Sequence, residues 1–235
     1  MRLRVLFDKE VMNQSFEGGW GVSYLVDDDL LFDTGEKFSY IEKNSKLMGI
    51  DLMKITKVVI SHQHWDHIQG LNGLLEMNKG ITVYVCAHSN KNFKDRILKQ
   101  KAKLVEVKEK INIKEGVYSS GECLISYKGE KIAEQSLIIE RGKDLVLLCG
   151  CAHFGVLNII EKVRRSFNKD IYCLIGGFHL MDKEKRFIEY VVRECRKAVK
   201  KIAPSHCTGF LGVSLFREVF KEDFLEIKVG KEIGF

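Results

Sequence analysis

The apolar positions fall first into short runs separated by turns. Leu3–Phe7, Val22–Val26 and Leu30–Phe32 read as strands, the last two joined by the polar turn Asp27-Asp28-Asp29. Phe38–Met48 has helical spacing and is stopped by Gly49. Lys57–Ile60 is a β-branched run of the buried-strand type and ends at Ser61. Ile68–Met77 predicts a helix, and Ile81–Cys86 another strand. From Asn90 to Gly121 the pattern blurs into a basic, partly helical stretch. Strands are expected again over Glu122–Tyr127, Ser136–Glu140 and Leu145–Leu148, with Arg141-Gly142-Lys143 as a turn. The remainder alternates: helix Val156–Phe167, strand Ile171–Ile175, helix Lys183–Lys201, then Pro204 and helix Val213–Phe220. Ile188, Val191, Cys195, Val199 and Ile202 would form one apolar stripe along the helix from Lys183. Leu225, Ile227 and Val229 predict a closing strand. Strands bracketed by helices point to an α/β layered fold. With no internal repeat or Pro/Ser-rich linker, residues 1–235 are expected to form a single domain.

Composition narrows the classes. The 235 residues are 45% hydrophobic and 30% charged, which suits a globular chain with a core large enough to need no disulfides. No apolar run approaches the roughly 18 residues of a membrane span. The opening MRLRVLFDKE is broken at Asp8 and lacks the features of a signal peptide. The seven cysteines are an odd number without a CxxC pair, and several sit in apolar runs as small hydrophobes; a reducing, cytoplasmic setting is expected. The net charge of +6 is spread along the chain, a mild preference for anionic partners and none for a membrane. A homo-oligomer is left open.

The chemistry concentrates after the Lys57–Ile60 strand. Ser61-His62-Gln63-His64-Trp65-Asp66-His67 places three histidines and a carboxylate within six positions. His62 and His64 point the same way on extended backbone, and Asp66 and His67 follow on the turn into a helix. Imidazole and carboxylate are ligands for zinc, iron or manganese. No P-loop, dinucleotide fingerprint or serine-nucleophile motif competes.

His62-x-His64-x-Asp66-His67 followed by Gly70 resembles the HxHxDHxxG signature of the metallo-β-lactamase superfamily. Leu31-Phe32-Asp33-Thr34-Gly35 is similar to its LxDTG segment, whose aspartate supports the metal site from behind. The segments Gly150–Gly155 and Pro204–Gly209 fall where that superfamily supplies its remaining ligands. Together with Gly176-Gly177-Phe178-His179-Leu180 they look closest to the branch of 7,8-dihydropterin-6-methyl-4-(β-D-ribofuranosyl)-aminobenzene-5'-phosphate synthase-like proteins. The resemblance covers nearly the whole chain and implies a four-layer αββα sandwich of two mixed sheets flanked by helices.

It also implies a dinuclear metal-dependent hydrolase using a metal-bridging hydroxide, with two divalent ions, Zn2+ before Fe or Mn. His62 and His64 would hold the first ion, and Asp66, His67 and His206 the second. The ligand completing the first site is open. His153 is the expected one, Cys151 stands where a bridging Asp is usual, and Glu134 is a further carboxylate. His179, at a strand end after two glycines, is expected as a general acid or substrate-anion ligand, and Asp66 also as acceptor of the nucleophile's proton. Asp33 would orient a ligand histidine. Trp20, in Gly18-Gly19-Trp20-Gly21, would sit on a loop over the site, whereas His88 reads as structural.

A small substrate, phosphorylated or otherwise anionic, is expected, with a pterin or ribose-phosphate synthase-type reaction among those it admits. The alternatives are an RNA phosphodiesterase using Lys91, Lys94 and Arg96, or a non-catalytic metal-dependent sensor. The stretch Lys91–Lys103 holds six basic residues against one acid, but a solvated helix face explains it more simply.

Overall fold

A computed structural model describes residues 1–127 and 129–235. The chain divides into two compact units, Met1–Lys108 with Ile227–Phe235, and Glu109–Glu226. In chain order, the first unit runs β1 (Arg2–Phe7), β2 (Ser23–Val26), β3 (Leu30–Phe32), α1 (Phe38–Leu47), β4 (Lys57–Val59), α2 (Trp65–Ile68), α3 (Leu71–Met77), β5 (Thr82–Cys86), α4 (Lys91–Lys99) and β6 (Lys103–Val107). The second unit opens with β7 (Ile111–Lys114), β8 (Val117–Ser119), β9 (Cys123–Tyr127), β10 (Glu130–Glu134), β11 (Leu137–Arg141) and β12 (Asp144–Cys149). It continues with α5 (Val156–Phe167), β13 (Asp170–Gly177), α6 (Lys185–Ala198), β14 (Val199–Ser205) and α7 (Gly209–Phe220), after which β15 (Glu232–Gly234) returns to the first unit.

Each unit is built on a mixed sheet. In the first, the order is β15-β1-β2-β3-β4-β5-β6, antiparallel from β15 to β3 and parallel from β3 to β6. The parallel half follows from the helical crossovers, because parallel neighbours need a long connection. Ile41 of α1, Leu71 and Leu74 of α3, and Phe93 and Ile97 of α4 pack on Leu31, Val58 and Val83 of the sheet. In the second unit the order is β14-β13-β12-β11-β8-β7, with β12, β13 and β14 parallel. There Leu145, Leu147 and Leu174 of the sheet meet Val156 and Ile160 of α5, Ile188 and Val191 of α6, and Phe216 of α7. In both units, chemistry-bearing residues follow the carboxyl ends of parallel strands, where open α/β sheets offer crevices.

Several expected elements shift. The helix expected over Ile68–Met77 is two pieces meeting at Gly70, where a Cβ would lie 2.1 Å from the Thr34 carbonyl oxygen. The helix expected to reach Lys201 ends at Ala198, because Val199–Ser205 adds to the sheet beside β13, Val199 opposite Ile171 and Ile202 opposite Leu174. The stripe Ile188, Val191, Cys195 is helical, whereas Val199 and Ile202 are strand residues. Pro204 lies inside β14 rather than between elements, tolerated because β14 is an edge strand. The last helix starts at Gly209, not Val213. Leu225–Val229 forms no strand. Its amides bond outward, Leu225 N–H to the Ile202 carbonyl and Val229 N–H to that of Glu10, and the closing strand is Glu232–Gly234 on β1. Asn90–Gly121 resolves into α4 and strands β6, β7 and β8, and the polar strand β10 had no hydrophobic signal. Cys86, Cys149, Cys173 and Cys195 are buried small hydrophobes, as expected. Among the described residues no helix is long and apolar enough to cross a membrane.

Leu147 is fully buried in β12, whereas Leu98 on α4 is exposed. Leu147→Ala is expected to lower the unfolding free energy by about 3 kcal/mol and Leu98→Ala by less than about 0.5 kcal/mol, read from urea denaturation.

Candidate metal centre

In the first unit the geometry starts at Asp33, fully buried in a left-handed turn (φ 58°) after β3. Its carboxylate accepts the Ser61 backbone N–H (2.6 Å) and the Ser61 hydroxyl (2.6 Å), and pairs with His67 Nδ1 (2.7 Å). Since the hydroxyl proton goes to Asp33, Ser61 Oγ accepts from His62 Nδ1 at 2.9 Å. One carboxylate thereby acts on two rings, His67 directly and His62 through Ser61, and turns the Nε2 edge of each away from itself. Thr34 locks the turn against α2, its N–H and hydroxyl both donating to the His67 carbonyl at 2.9 Å. Gly21 allows this close packing, because at φ 116° a Cβ would sit 1.8 Å from the Asp66 carbonyl oxygen.

The donor set fits a metal. His62 Nε2 and His64 Nδ1 face each other at 2.9 Å, and His67 Nε2 lies 3.4 Å from an Asp66 carboxylate oxygen. Two nitrogens on one divalent ion, each about 2.0–2.1 Å away, stand about 3 Å apart, so this spacing needs little adjustment. Burial disfavours a charged His67, but the Asp33 and Asp66 carboxylates outweigh it and raise its pKa to about 10. That negative field holds a proton when no metal is bound and favours a cation in the same place.

In the second unit, His153 follows β12 and its Nδ1 bonds Glu134 Oε1 at 3.1 Å, both side chains almost fully buried. Glu134 therefore serves His153 as Asp33 serves His67, presenting Nε2. The His153 and His179 rings are 4.5 Å apart, and Tyr127 meets His179 edge-on at 4.8 Å. Tyr127, His153, Phe154, His179, Lys183 and Tyr190 line a cavity of about 520 Å³. Burial, then the charges of His153 and Lys183, lower the His179 pKa to about 4, so its imidazole is neutral at neutral pH. His206 opens the turn after β14 and is buried, with φ 48°; His179 has φ 50° and Ala152 φ 57°. Three chain exits from adjacent strands thus use the left-handed region, where strained residues cluster at functional sites.

Each expected site residue can now be placed. His62, His64, Asp66 and His67 converge within the first unit, and His153 and His179 lie together in the second. Glu134 orients His153, while Cys151 groups with His179 and Cys207. Trp20 donates its backbone N–H to Glu36, and His88 lies in the turn after β5. Ser61, Tyr127 and Cys207 join the site only through the fold. Only Ser61, next to the histidine cluster, carried a signal in the sequence.

The model of the metallo-β-lactamase superfamily matches residues 19–201. The chain belongs to the metallo-β-lactamase superfamily. It is 29% identical to a 7,8-dihydropterin-6-methyl-4-(β-D-ribofuranosyl)-aminobenzene-5'-phosphate synthase of Methanocaldococcus jannaschii, over 95% of this chain and 92% of that protein. The crystal structure of Tm1679, a metal-dependent hydrolase of the β-lactamase superfamily, superposes with a TM-score of 0.84 at 27% identity, over 100% of this chain and 99% of that one. Human tRNase Z, short form, shares the fold alone, with a TM-score of 0.61 at 15% identity, over 100% of this chain and 99% of that one. The α/β fold of two mixed sheets with helices is the expected metallo-β-lactamase fold, and it is one that carries metal-dependent hydrolases.

Two predictions follow from the Asp33 network. In metal-stripped protein, His67 binds its proton more tightly folded than unfolded, so its contribution to stability is complete below pH 6.5 and lost as pH rises through about 10. Unfolding free energy should therefore fall over that window, and Asp33→Asn should flatten the fall. Ser61→Ala, which frees the His62 tautomer, should weaken zinc binding about 10- to 100-fold in a chelator competition.

Proposed function

We propose that this chain is a dinuclear metal-dependent hydrolase acting on a small, phosphorylated anionic substrate, and that its two units work as one catalytic domain. His62, His64 and His153 would hold one ion, and Asp66, His67 and His206 the other, with zinc preferred over iron or manganese. The observation that carries this reading is the buried carboxylate behind the histidines: Asp33 acts on His67 and on His62 through Ser61, and Glu134 acts on His153. Such backing is how proteins orient imidazoles for metals. When bound, two divalent ions lower the pKa of a water from about 16 towards 7 and act as Lewis acids on the scissile group.

The chain's own residues would do the rest. Asp66 would accept the nucleophile's proton. His179, neutral near pH 7, would donate an N–H hydrogen bond to the substrate anion, with Lys183 adding charge at the same cavity. That role is favoured over an imidazolium acid. The aromatic wall of Phe154 and Tyr190 suits a ring-bearing substrate, and the phosphate in the archaeal relative's name supports the phosphorylated class. An RNA substrate is less supported. Lys94 is tied to Glu106 and to the Ala87 carbonyl, and Phe93 and Ile97 turn the apolar face of α4 inward, leaving an ordinary solvated face outside. A cytoplasmic location belongs to the same proposal.

Metal analysis by plasma mass spectrometry should find less bound divalent metal per chain in His62→Ala and in His153→Ala than in wild type. A panel of phosphate esters should be hydrolysed by wild type and not after chelation. Wild type that binds no metal on reconstitution, or that hydrolyses the panel undiminished after chelation, overturns the reading.

A further inference from the structure

Three adjacent parallel strands of the second unit end side by side, and each is followed by a soft donor. Cys151 lies beyond β12, His179 beyond β13 and Cys207 beyond β14, with register pairs Cys149–Gly176 and Gly177–Ser205 bringing the exits level. The two Sγ atoms and a His179 ring nitrogen all lie within 4.8 Å of one another. Both cysteines are buried, and Cys207 Sγ also contacts the Cys151 carbonyl oxygen at 3.6 Å. At Gly177 a Cβ would meet the Gly150 carbonyl oxygen at 2.4 Å and Cys207 Sγ at 2.6 Å, so glycine lets the strand end pack against both. Both His179 ring nitrogens are buried without a hydrogen-bond partner among the described residues. A buried polar atom in that state points to a ligand.

We propose that Cys151, His179 and Cys207 form a Cys2His site for a thiophilic d10 cation, with Zn2+ as the physiological occupant. On binding, each thiol releases its proton to solvent and its sulfur becomes a thiolate ligand, with no change of oxidation state. Two thiolates and a neutral imidazole cancel the divalent charge, so the buried site is electrically neutral. A histidine-only triad would leave the charge uncompensated. The fourth position of the tetrahedron stays open. His179 lines the 520 Å³ cavity, which gives the ion a way in and leaves an exchangeable ligand facing that space.

The test is a Cd2+ titration of metal-stripped full-length protein, following ultraviolet thiolate-to-cadmium absorption. Wild type should develop the absorption, and so should His62→Ala/His64→Ala, which removes histidines of the dinuclear centre and no sulfur. Cys151→Ser and Cys207→Ser should each lose about half of the absorption, and His179→Ala should keep it while binding Cd2+ about tenfold or more weakly. The ¹¹³Cd NMR shift of wild type should report two sulfur ligands, a readout independent of any variant's folding. Absorption that is absent, unchanged in Cys207→Ser, or lost in His62→Ala/His64→Ala overturns the proposal. The first two results leave the dinuclear reading standing, since that reading is judged by metal loss in His62→Ala and His153→Ala.

Discussion

The buried carboxylate of Asp33 is the interaction on which the first unit's chemistry depends. A fully buried carboxylate is costly unless its oxygens are satisfied, and here the Ser61 amide, the Ser61 hydroxyl and His67 satisfy them. Those partners come from two places in the chain. Asp33 follows β3, and Ser61 follows β4, the parallel neighbour of β3. The sheet register that pairs Phe32 with Val59 therefore also brings Asp33 to Ser61, and sheet formation and site formation are one event. The left-handed backbone at Asp33 is held because the same contacts over-determine it.

The second unit solves the equivalent problem with strand ends and glycine. β12, β13 and β14 are parallel, so all three expose their carboxyl ends at one edge. Bringing Cys151, His179, His206 and Cys207 to that edge needs the chain to turn sharply as each strand stops, which explains positive φ at Ala152, His179 and His206. It also needs the backbones to approach closely. At Gly176 a Cβ would lie 1.9 Å from the Cys149 carbonyl oxygen, so the paired glycines are a packing requirement rather than a flexible hinge.

Much of this was legible in the sequence where the chemistry is local. His62, His64, Asp66 and His67 lie within one turn of chain, and the resemblance in Leu31–Gly35 located Asp33. What stayed hidden depends on tertiary pairing. Glu134, a candidate ligand by sequence, instead holds His153 from a polar hairpin strand whose residues carry no apolar alternation, so neither the strand nor that pairing announced itself. Cys207 looked like one thiol among seven, because only strand register sets it beside Cys151 and His179. The misplaced end of α6 has a physical cause. Cys195, Val199 and Ile202 are spaced four and three apart, which continues a helical stripe, but β-branched Val199 and Ile202 suit a strand and pair with β13 instead.

The histidines sort themselves by what stands behind them. His67, His62 and His153 each have a carboxylate behind Nδ1, directly or through Ser61, which fixes the ring and strengthens the opposite nitrogen as a donor to a cation. Such imidazoles are suited to a cation. Among the described residues no carboxylate hydrogen-bonds His179, and burial first, then the charges of His153 and Lys183, keep its imidazole neutral. A neutral ring can donate one hydrogen bond through one nitrogen and bind a soft cation through the other, with no competition from a proton at neutral pH. The carboxylates of Asp33 and Glu134 thus do more than orient their neighbours: by hydrogen-bonding His67 and His153 and not His179, they set those two rings apart from one whose imidazole is neutral.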